Sequence, residues 1–342
     1  MSVQAANILS TSAAFDTVAM TNAIVDMQFV SDGLDKIFTW EVDTSLTDTV
    51  SLDHESGLIY LLPTTPRNGE APVAKRTQRG TAIVRIPGFA ERDAVLNSSI
   101  MGVRDTGTLA LKTLEGERNR RLQRMGARLI HTNDHQRARA LDGLLTDVDG
   151  TVLADLFQLL GGQQVVANWD LSKAGFDLQE QVIALKQTSE DFLGGVPITG
   201  YVLLTGRNAG RRLRRNKDFK IAAQDAAGYL LQVRDNRQGV RLMEDVDVVD
   251  YGRARLISGQ GASGGFIDDN AAYLVPVGPG FARTIYGPSD IEEYFNNPLP
   301  FYVSKEPLKN NKGIEMLVES YVLNYFARPQ SVIKVNIAGP MD

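Results

Sequence analysis

Two aspartates near the middle of the chain have the spacing of a phosphoryl-transfer site. Asp147 and Asp149 lie in the sequence Asp-Val-Asp-Gly-Thr, in which one carboxylate can attack phosphorus and the other can act as acid and base. A second pair of aspartates further along the chain, Asp268 and Asp269, could then supply a Mg²⁺ site for the same reaction. This chemistry would make the protein a phosphatase.

The elements around this motif indicate a different role. In the haloacid-dehalogenase superfamily the attacking aspartate follows a buried strand of a parallel sheet, and such strands are nearly continuous apolar runs. Here only two leucines precede Thr146, a charged helix ends just before them, and a strand-like run follows at once. We interpret Asp147, Asp149 and Gly150 as a structural turn, and we keep the phosphatase as the alternative.

Other motifs that could bind a cofactor or a metal lack the context that they need. Gly259–Gly264 has the glycine spacing of a dinucleotide site, but no helix start follows it. His131 and His135 are four residues apart without a third ligand, and the chain has no cysteine. The sequence therefore predicts no catalytic residue, no cofactor and no metal ion.

The net charge of −5 is distributed unevenly along the 342 residues. Residues 1–66 contain nine acids and one cation, Lys36, whereas residues 67–92 contain six cations and two acids. Adjacent blocks of opposite sign suggest surfaces that meet, within one chain or between copies of it. No run of about 18 apolar residues occurs, so we expect no membrane span.

The pattern along the chain predicts an α+β fold with one long hairpin and one long helix. Residues 1–48 are expected to form an arm that needs an outside surface. The runs 58–63 and 80–87 are typical of strands, and the long basic link between them is expected to project. Residues 108–142 have helical spacing of apolar side chains, which predicts a helix about 50 Å long.

Two groups of cations are candidates for contacts between subunits. The first lies on or beside the projecting link, and the second lies on the polar side of the helix, where a nucleic-acid surface is the alternative. The predicted contact residues are Arg67, Lys75, Arg76, Arg79, Arg121, Arg124 and Arg128.

Segments spread over most of the chain occur in the order of a known family. They are Leu34–Phe38, Leu61–Pro63, Arg76–Pro87, Arg104–Gly107, Thr132 with Ala140–Gly143, Asp147–Gly150 with Asp155, Ala272–Gly278, Tyr286–Asp290 with Asn296 and Tyr302, and Ser320–Asn324 with Arg328 and Pro329. In this order they resemble the lambda-type (E family) major capsid protein of tailed bacteriophages. The chain departs from that pattern at Val322, where proline is usual, and at Gly287–Asp290, where an alanine form is commoner.

This resemblance implies the tailed-phage major capsid fold and a set of domain boundaries. The expected parts are an N-arm (1–48), an E-loop hairpin (49–88), a P-domain with a spine helix (89–170), an A-domain (171–283) and return strands ending at the A-domain (284–342).

The same resemblance implies a structural protein of the virion, assembled in the host cytoplasm, and no enzyme. Its copies would form hexamers and pentamers of an icosahedral shell. The implied partners are a portal protein, scaffold and decoration proteins, and packaged double-stranded DNA. A cellular encapsulating shell of the same fold is the second alternative.

Overall fold

The computed structural model describes residues 20–21, 24, 34–56, 78–100, 114–160, 162–194, 197–220, 240–243, 245–252 and 265–339. We number the helices α1 (Leu34–Ile37), α2 (Leu114–Ala140), α3 (Leu156–Leu159), α4 (Leu178–Leu193) and α5 (Arg207–Arg215). The strands are β1 (Trp40–Thr44), β2 (Thr49–Ser56), β3 (Gln78–Arg85), β4 (Gly88–Leu96), β5 (Leu144–Thr146), β6 (Val152–Asp155), β7 (Val166–Asp170), β8 (Gly200–Thr205), β9 (Val240–Met243), β10 (Val246–Asp250), β11 (Ala271–Val277), β12 (Ala282–Tyr286), β13 (Tyr302–Pro307), β14 (Gly313–Phe326) and β15 (Ile333–Ala338). This mixture of helices and sheets confirms the predicted α+β class.

The long helix α2 packs its apolar stripe against a five-stranded sheet. Leu122, Met125 and Leu129 recur every three or four residues, so they lie on one side of the helix. All three are buried. They share a core cluster with side chains of β13 and β14, namely Val303, Ile314, Met316 and Val318.

The predicted range of this helix, 108–142, is too long at its C-terminal end. Residues 108–113 lie outside the described part of the chain, and the helix ends at Ala140. Gly143 has a left-handed φ of 64°, and its N–H donates to the Ala140 carbonyl at 3.0 Å. Because a glycine in this conformation closes the last helical turn, the chain leaves the helix here and enters β5.

The five-stranded sheet joins distant parts of the chain. Its order is β1-β12-β14-β13, and β4 also pairs with β14. The 14-residue strand β14 pairs with β4 and β13 along its first part and with β12 along its last part. Strand β1 runs parallel to β12, which places the N-terminal segment on this sheet.

The expectation that residues 1–48 form an arm without a core is wrong for residues 34–48. Leu34 and Phe38 are buried in the chain's own core, and the Phe38 ring meets the Phe326 ring edge-on at 5.9 Å. Trp40–Thr44 forms β1. The scattered apolar residues gave no periodic signal because their packing partners are remote in sequence.

A second sheet has six strands in the order β7-β15-β11-β8-β10-β9. On one face it packs against α4 and α5 through Val182, Leu185 and Leu213. On the other face it packs against the end of α2, where Ala138 and Leu141 lie in the same cluster as strand residues. Strand β11 is apolar almost throughout because both faces of the sheet are covered.

Two hairpins form separate two-stranded sheets and pack against the five-stranded sheet through Leu52, Val84 and Leu145. Strands β2 and β3 pair in register from Thr49 with Arg85 to Ser56 with Gln78, so the hairpin leads towards residues 57–77, which lie outside the described part of the chain. The predicted strand 58–63 falls in that range. The other hairpin, β5 with β6, follows the long helix. No helix in the described ranges is long and apolar enough to cross a membrane.

Candidate functional site

The aspartates of the Asp-Val-Asp-Gly-Thr motif lie in a tight turn between β5 and β6. The Asp147 carboxylate accepts from the Val148 N–H at 2.6 Å, and the Asp149 carboxylate accepts from the Thr151 N–H at 2.9 Å. Gly150 has a φ of 88°. The hydrogen bond from the Thr151 backbone lowers the pKa of Asp149, so this exposed carboxyl stays ionised and serves the turn.

The surroundings of this turn do not suit phosphoryl transfer. Strand β5 has three residues and, among the described strands, pairs only with the antiparallel β6. A parallel central strand before the nucleophile is therefore missing here. Of the two aspartates considered for Mg²⁺, Asp268 accepts from the Asn270 N–H through its carboxylate, and Asp269 accepts from the N-terminus of α5 through its main-chain carbonyl.

The two histidines of the long helix pack on an aromatic ring instead of forming a metal site. The rings of His131 and His135 lie 4.9 and 5.2 Å from the ring of Phe266. Burial, together with the nearby side chains of Arg139 and His131, lowers the pKa of His135 to about 4. Within the described ranges no three His, Asp or Glu side chains are grouped closely enough to hold a metal ion.

The predicted contact arginines of the long helix have different surroundings. Arg121 bonds to Asp93 of β4 at 2.6 Å and to Glu117 at 3.0 Å, so its charge is largely used within the chain. Arg128 pairs with Glu91 of β4, although two thirds of its side chain stays exposed. Arg124 is exposed and, in the described part of the structure, has no partner. Arg124 is thus the most available of the three for a contact between subunits.

The predicted contact residues of the hairpin lie mostly beyond the described strands. Arg67, Lys75 and Arg76 fall in residues 57–77. Arg79 belongs to β3, where its backbone stands opposite Glu55 of β2.

An acidic cleft of about 780 Å³ lies at the root of this hairpin. Three carboxylates line it, those of Asp48, Asp147 and Asp290, against a single cation, Arg85. Arg85 and Asp48 lie 3.6 Å apart, so they neutralise each other only in part. Apolar side chains from the junction of β3 with β4 and from the second hairpin form much of the remaining wall, including Ile86, Phe89, Leu145 and Leu153.

Arg137 is a structural residue that the sequence analysis missed. Its side chain is 8% exposed, pairs with Asp35 and lies 3.8 Å from Asp134. The guanidinium carbon also lies 4.9 Å from the centre of the Trp40 ring. Burial lowers the pKa of Arg137, and the two aspartates compensate its charge. This contact holds the N-terminal segment on the long helix, and its partners in that segment lie a hundred residues earlier in the chain.

The chain is similar to known capsid proteins in sequence and in structure. The family described as Phage major capsid protein E matches residues 16–337. The major capsid protein of Salmonella phage Felix O1 is 24% identical over 280 residues, which cover 72% of this chain and 75% of that protein. A candidate capsid protein of a prophage of E. coli CFT073 has a TM-score of 0.58 at 14% identity, with 94% of this chain and 97% of that chain covered. The capsid of a native GTA particle has a TM-score of 0.56 at 9% identity, with 91% and 92% covered.

Proposed function

Because this chain belongs to the Phage major capsid protein E family, it is a structural protein of a phage virion shell, and we propose that its copies form hexamers and pentamers of an icosahedral head. The match over residues 16–337 carries this conclusion. The protein is a capsid component and no enzyme, which removes the phosphatase alternative. We also propose that the shell assembles in the host cytoplasm, since a reducing compartment suits a chain without cysteine.

The two sheets support a division into the domains that the capsid fold implies. We assign the five-stranded sheet with α2 to the P-domain and the six-stranded sheet to the A-domain. Strand β15 lies between β7 and β11, which supports a C-terminal segment that ends at the A-domain. Strand β7 belongs to the six-stranded sheet. We therefore place the border between the P-domain and the A-domain before Val166 and not at residue 170.

The hairpin β2–β3 supports contact between copies. The base of this hairpin packs on the chain's own core through Leu52 and Val84, but a two-stranded hairpin that extends beyond such packing is marginally stable in water. Within the described residues these two strands pair only with each other, and Ile83 of β3 is 68% exposed. A neighbouring copy would cover such a surface and would stabilise the hairpin.

We assign this hairpin to the E-loop and place its basic tip on an acidic surface of the next copy. The tip carries Arg67, Lys75 and Arg76, with Arg79 at its base. The cleft lined by Asp48, Asp147 and Asp290 has the opposite charge. Complementary charges steer association and make it dependent on salt.

The further partners that we propose follow from the role of a head protein. One vertex of the shell would carry a portal protein, through which double-stranded DNA enters. Scaffold proteins would guide assembly, and decoration proteins would bind the finished surface. The DNA would be held without sequence preference and only at local cationic surfaces, because the chain as a whole, with a net charge of −5, does not attract a polyanion.

Electron microscopy of the purified, concentrated protein tests this proposal. We expect closed shells of uniform diameter, with pentamers at the vertices and hexamers between them. A protein that remains a small oligomer at high concentration, in low and in moderate salt, contradicts the shell.

A further inference from the structure

The short helix α5, Arg207–Arg215, carries more positive charge than its packing uses. Its buried side consists of Ala209, Gly210 and Leu213, which face the six-stranded sheet. Arg212 donates to the Asn270 side chain at 3.1 Å and to the Ile337 carbonyl at 2.5 Å. These contacts stabilise the helix on the sheet, so this arginine has a structural role.

Arg214 has a similar role, because it pairs with Asp250 of β10 at 2.6 Å. The nearest following acid, Asp218, is also engaged, since its carboxylate accepts from the Leu178 N–H at 3.4 Å. Residues 207–217 contain no acid at all. No acidic side chain of α5 itself can therefore neutralise the cations on the outward side of this helix.

Four further cations on α5 or in the helical turn directly after it are exposed. They are Arg207, Arg211, Lys217 and Lys220, and within the described part of the chain none of their side chains has a hydrogen bond or an ion pair. Arg207 and Arg211 are one helical turn apart, so they share a side of α5. We call these four residues the α5 cationic face.

Most arginines of the long helix are paired with acidic or polar side chains of the same chain. Arg121 and Arg128 pair with acids of β4, Arg137 pairs with Asp35, and Arg139 pairs with Asp142. Arg124 is the exception among these helix positions. A cluster of unpaired like charges costs free energy through self-repulsion unless a ligand neutralises it. The α5 cationic face is therefore the stronger candidate for an anionic ligand.

We propose that the α5 cationic face binds backbone phosphates of duplex DNA inside the shell. The inference rests on the proposed function, and it also orients the subunit, with the α4 and α5 side of the six-stranded sheet towards the lumen. Duplex DNA presents one negative charge for about every 1.7 Å of its axis, and arginine and lysine neutralise phosphates without reading sequence. A helix of nine residues is about 14 Å long and meets several phosphates at once.

A second copy of the chain is the less favoured occupant of this surface. The centre of an interface between proteins is depleted in charge and enriched in apolar and aromatic side chains. The outward positions of α5 are Arg207, Asn208, Arg211 and Arg215, all of them polar. A wet, positively charged surface of this kind is typical of contacts with nucleic acid.

The test measures binding of the unassembled full-length protein to a short duplex DNA of arbitrary sequence across a range of salt concentrations. The double variant Arg207→Gln/Arg211→Gln should flatten the slope of log Kobs against log salt by about 2, since each phosphate that a side chain neutralises contributes about 0.9 to that slope. The pair Lys217→Gln/Lys220→Gln should have a similar effect. Lys309→Gln/Lys312→Gln, a pair of exposed lysines just before β14, is the matched control and should leave the slope unchanged.

Electron microscopy of the same proteins separates the outcomes. Shells that form normally from variants with a flattened slope support the inference. Normal shells with an unchanged slope overturn it and leave the proposed function intact. Variants that remain folded by circular dichroism but lose their shells overturn it as well, because the face would then be a contact between copies. Failure of the wild-type protein to form shells contradicts the proposed function instead.

Discussion

The hydroxyl of Tyr273 donates a hydrogen bond to the carboxylate of Asp142 at 2.8 Å, which ties the end of the long helix to the six-stranded sheet. Lys334 reaches the same carboxylate oxygen at 3.0 Å from the neighbouring strand, and Arg139 reaches the other oxygen at 2.9 Å. Burial and the negative charge of Asp142 raise the pKa of Tyr273, so this hydroxyl keeps its proton. Asp142 thus connects the long helix to two strands of that sheet.

Replacement of Asp142 by alanine should destabilise the fold strongly. The side chain is 8% exposed, and its loss would leave Lys334 and Arg139 without their counter-charge and Tyr273 without its acceptor. We expect a loss of about 3–5 kcal/mol in the free energy of unfolding. Urea unfolding of the unassembled protein measures it. Asp142→Asn keeps an acceptor for Tyr273 and should lose less; equal losses for both variants would contradict the role of the hydrogen bond.

Two glycines with left-handed backbones should respond differently to alanine. Gly150 has φ 88° and no atom within 4 Å of an added Cβ, so Gly150→Ala should cost about 1 kcal/mol from the backbone alone. Gly143 has φ 64°, and its Cβ would lie 2.3 Å from the Phe157 ring. Gly143→Ala should cost about 1–3 kcal/mol more. Thermal or urea unfolding of the two variants compares them directly, and similar losses would contradict the steric argument.

The Asp147 carboxylate should be dispensable for the stability of the fold. It is exposed and accepts a hydrogen bond from its own neighbour, which an asparagine oxygen can also accept. We expect Asp147→Asn to change the free energy of unfolding by less than about 0.5 kcal/mol. Gly150→Val should cost more, because a branched side chain disfavours a φ of 88°. Mg²⁺-dependent hydrolysis of p-nitrophenyl phosphate that disappears in Asp147→Asn would instead restore the phosphatase.

The fold should lose stability in mild acid through His135. Its pKa is about 4 in the folded chain, whereas an unfolded histidine titrates near its ordinary value of about 6.5. The unfolded chain therefore binds the proton first, so this contribution is complete above pH ~6.5 and is lost as the pH falls towards about 4. The loss should reach about 3 kcal/mol at most.

Unfolding of wild type and His135→Gln at two pH values isolates this contribution, since the carboxylates titrate alike in both. The acidic measurement is made about half a pH unit above the pKa of His135 in the folded chain. The difference in the free energy of unfolding between neutral pH and this acidic pH should be smaller in the variant. An identical difference in both proteins would show that His135 does not contribute.

Charge reversal at the hairpin should weaken assembly and leave the monomer folded. Arg76→Asp and Arg79→Asp would place negative charge where we expect contact with an acidic surface of the next copy. Sedimentation should show fewer shells, with an unchanged circular dichroism spectrum. Lys173→Asp, an exposed cation beside the six-stranded sheet, is the control. Normal yields of shells from the hairpin variants would rule out this contact.

Local patterns were enough to predict several parts of this molecule. The recurrence of Leu122, Met125 and Leu129 depends only on helix geometry, and it predicted the long helix because that stripe meets a single apolar surface. The glycine and aspartates of residues 147–150 predicted a turn for a similar reason, since the aspartates bond to their immediate neighbours. The helix end was missed by two residues because the closing contact depends on the backbone of Gly143.

Taken alone, the sequence determined the α+β class, the long helix, the second strand of the long hairpin and, through the resemblance of its segments, a capsid subunit. Only the tertiary structure decided which charges are paired within the chain. Arg128, Arg137 and Arg211 look alike in sequence, yet one pairs on the surface with Glu91, one is buried with Asp35, and one is left free among the described residues. The physical reason is that an ion pair depends on distance in space, and the acids that neutralise these arginines come from strands and segments far away along the chain.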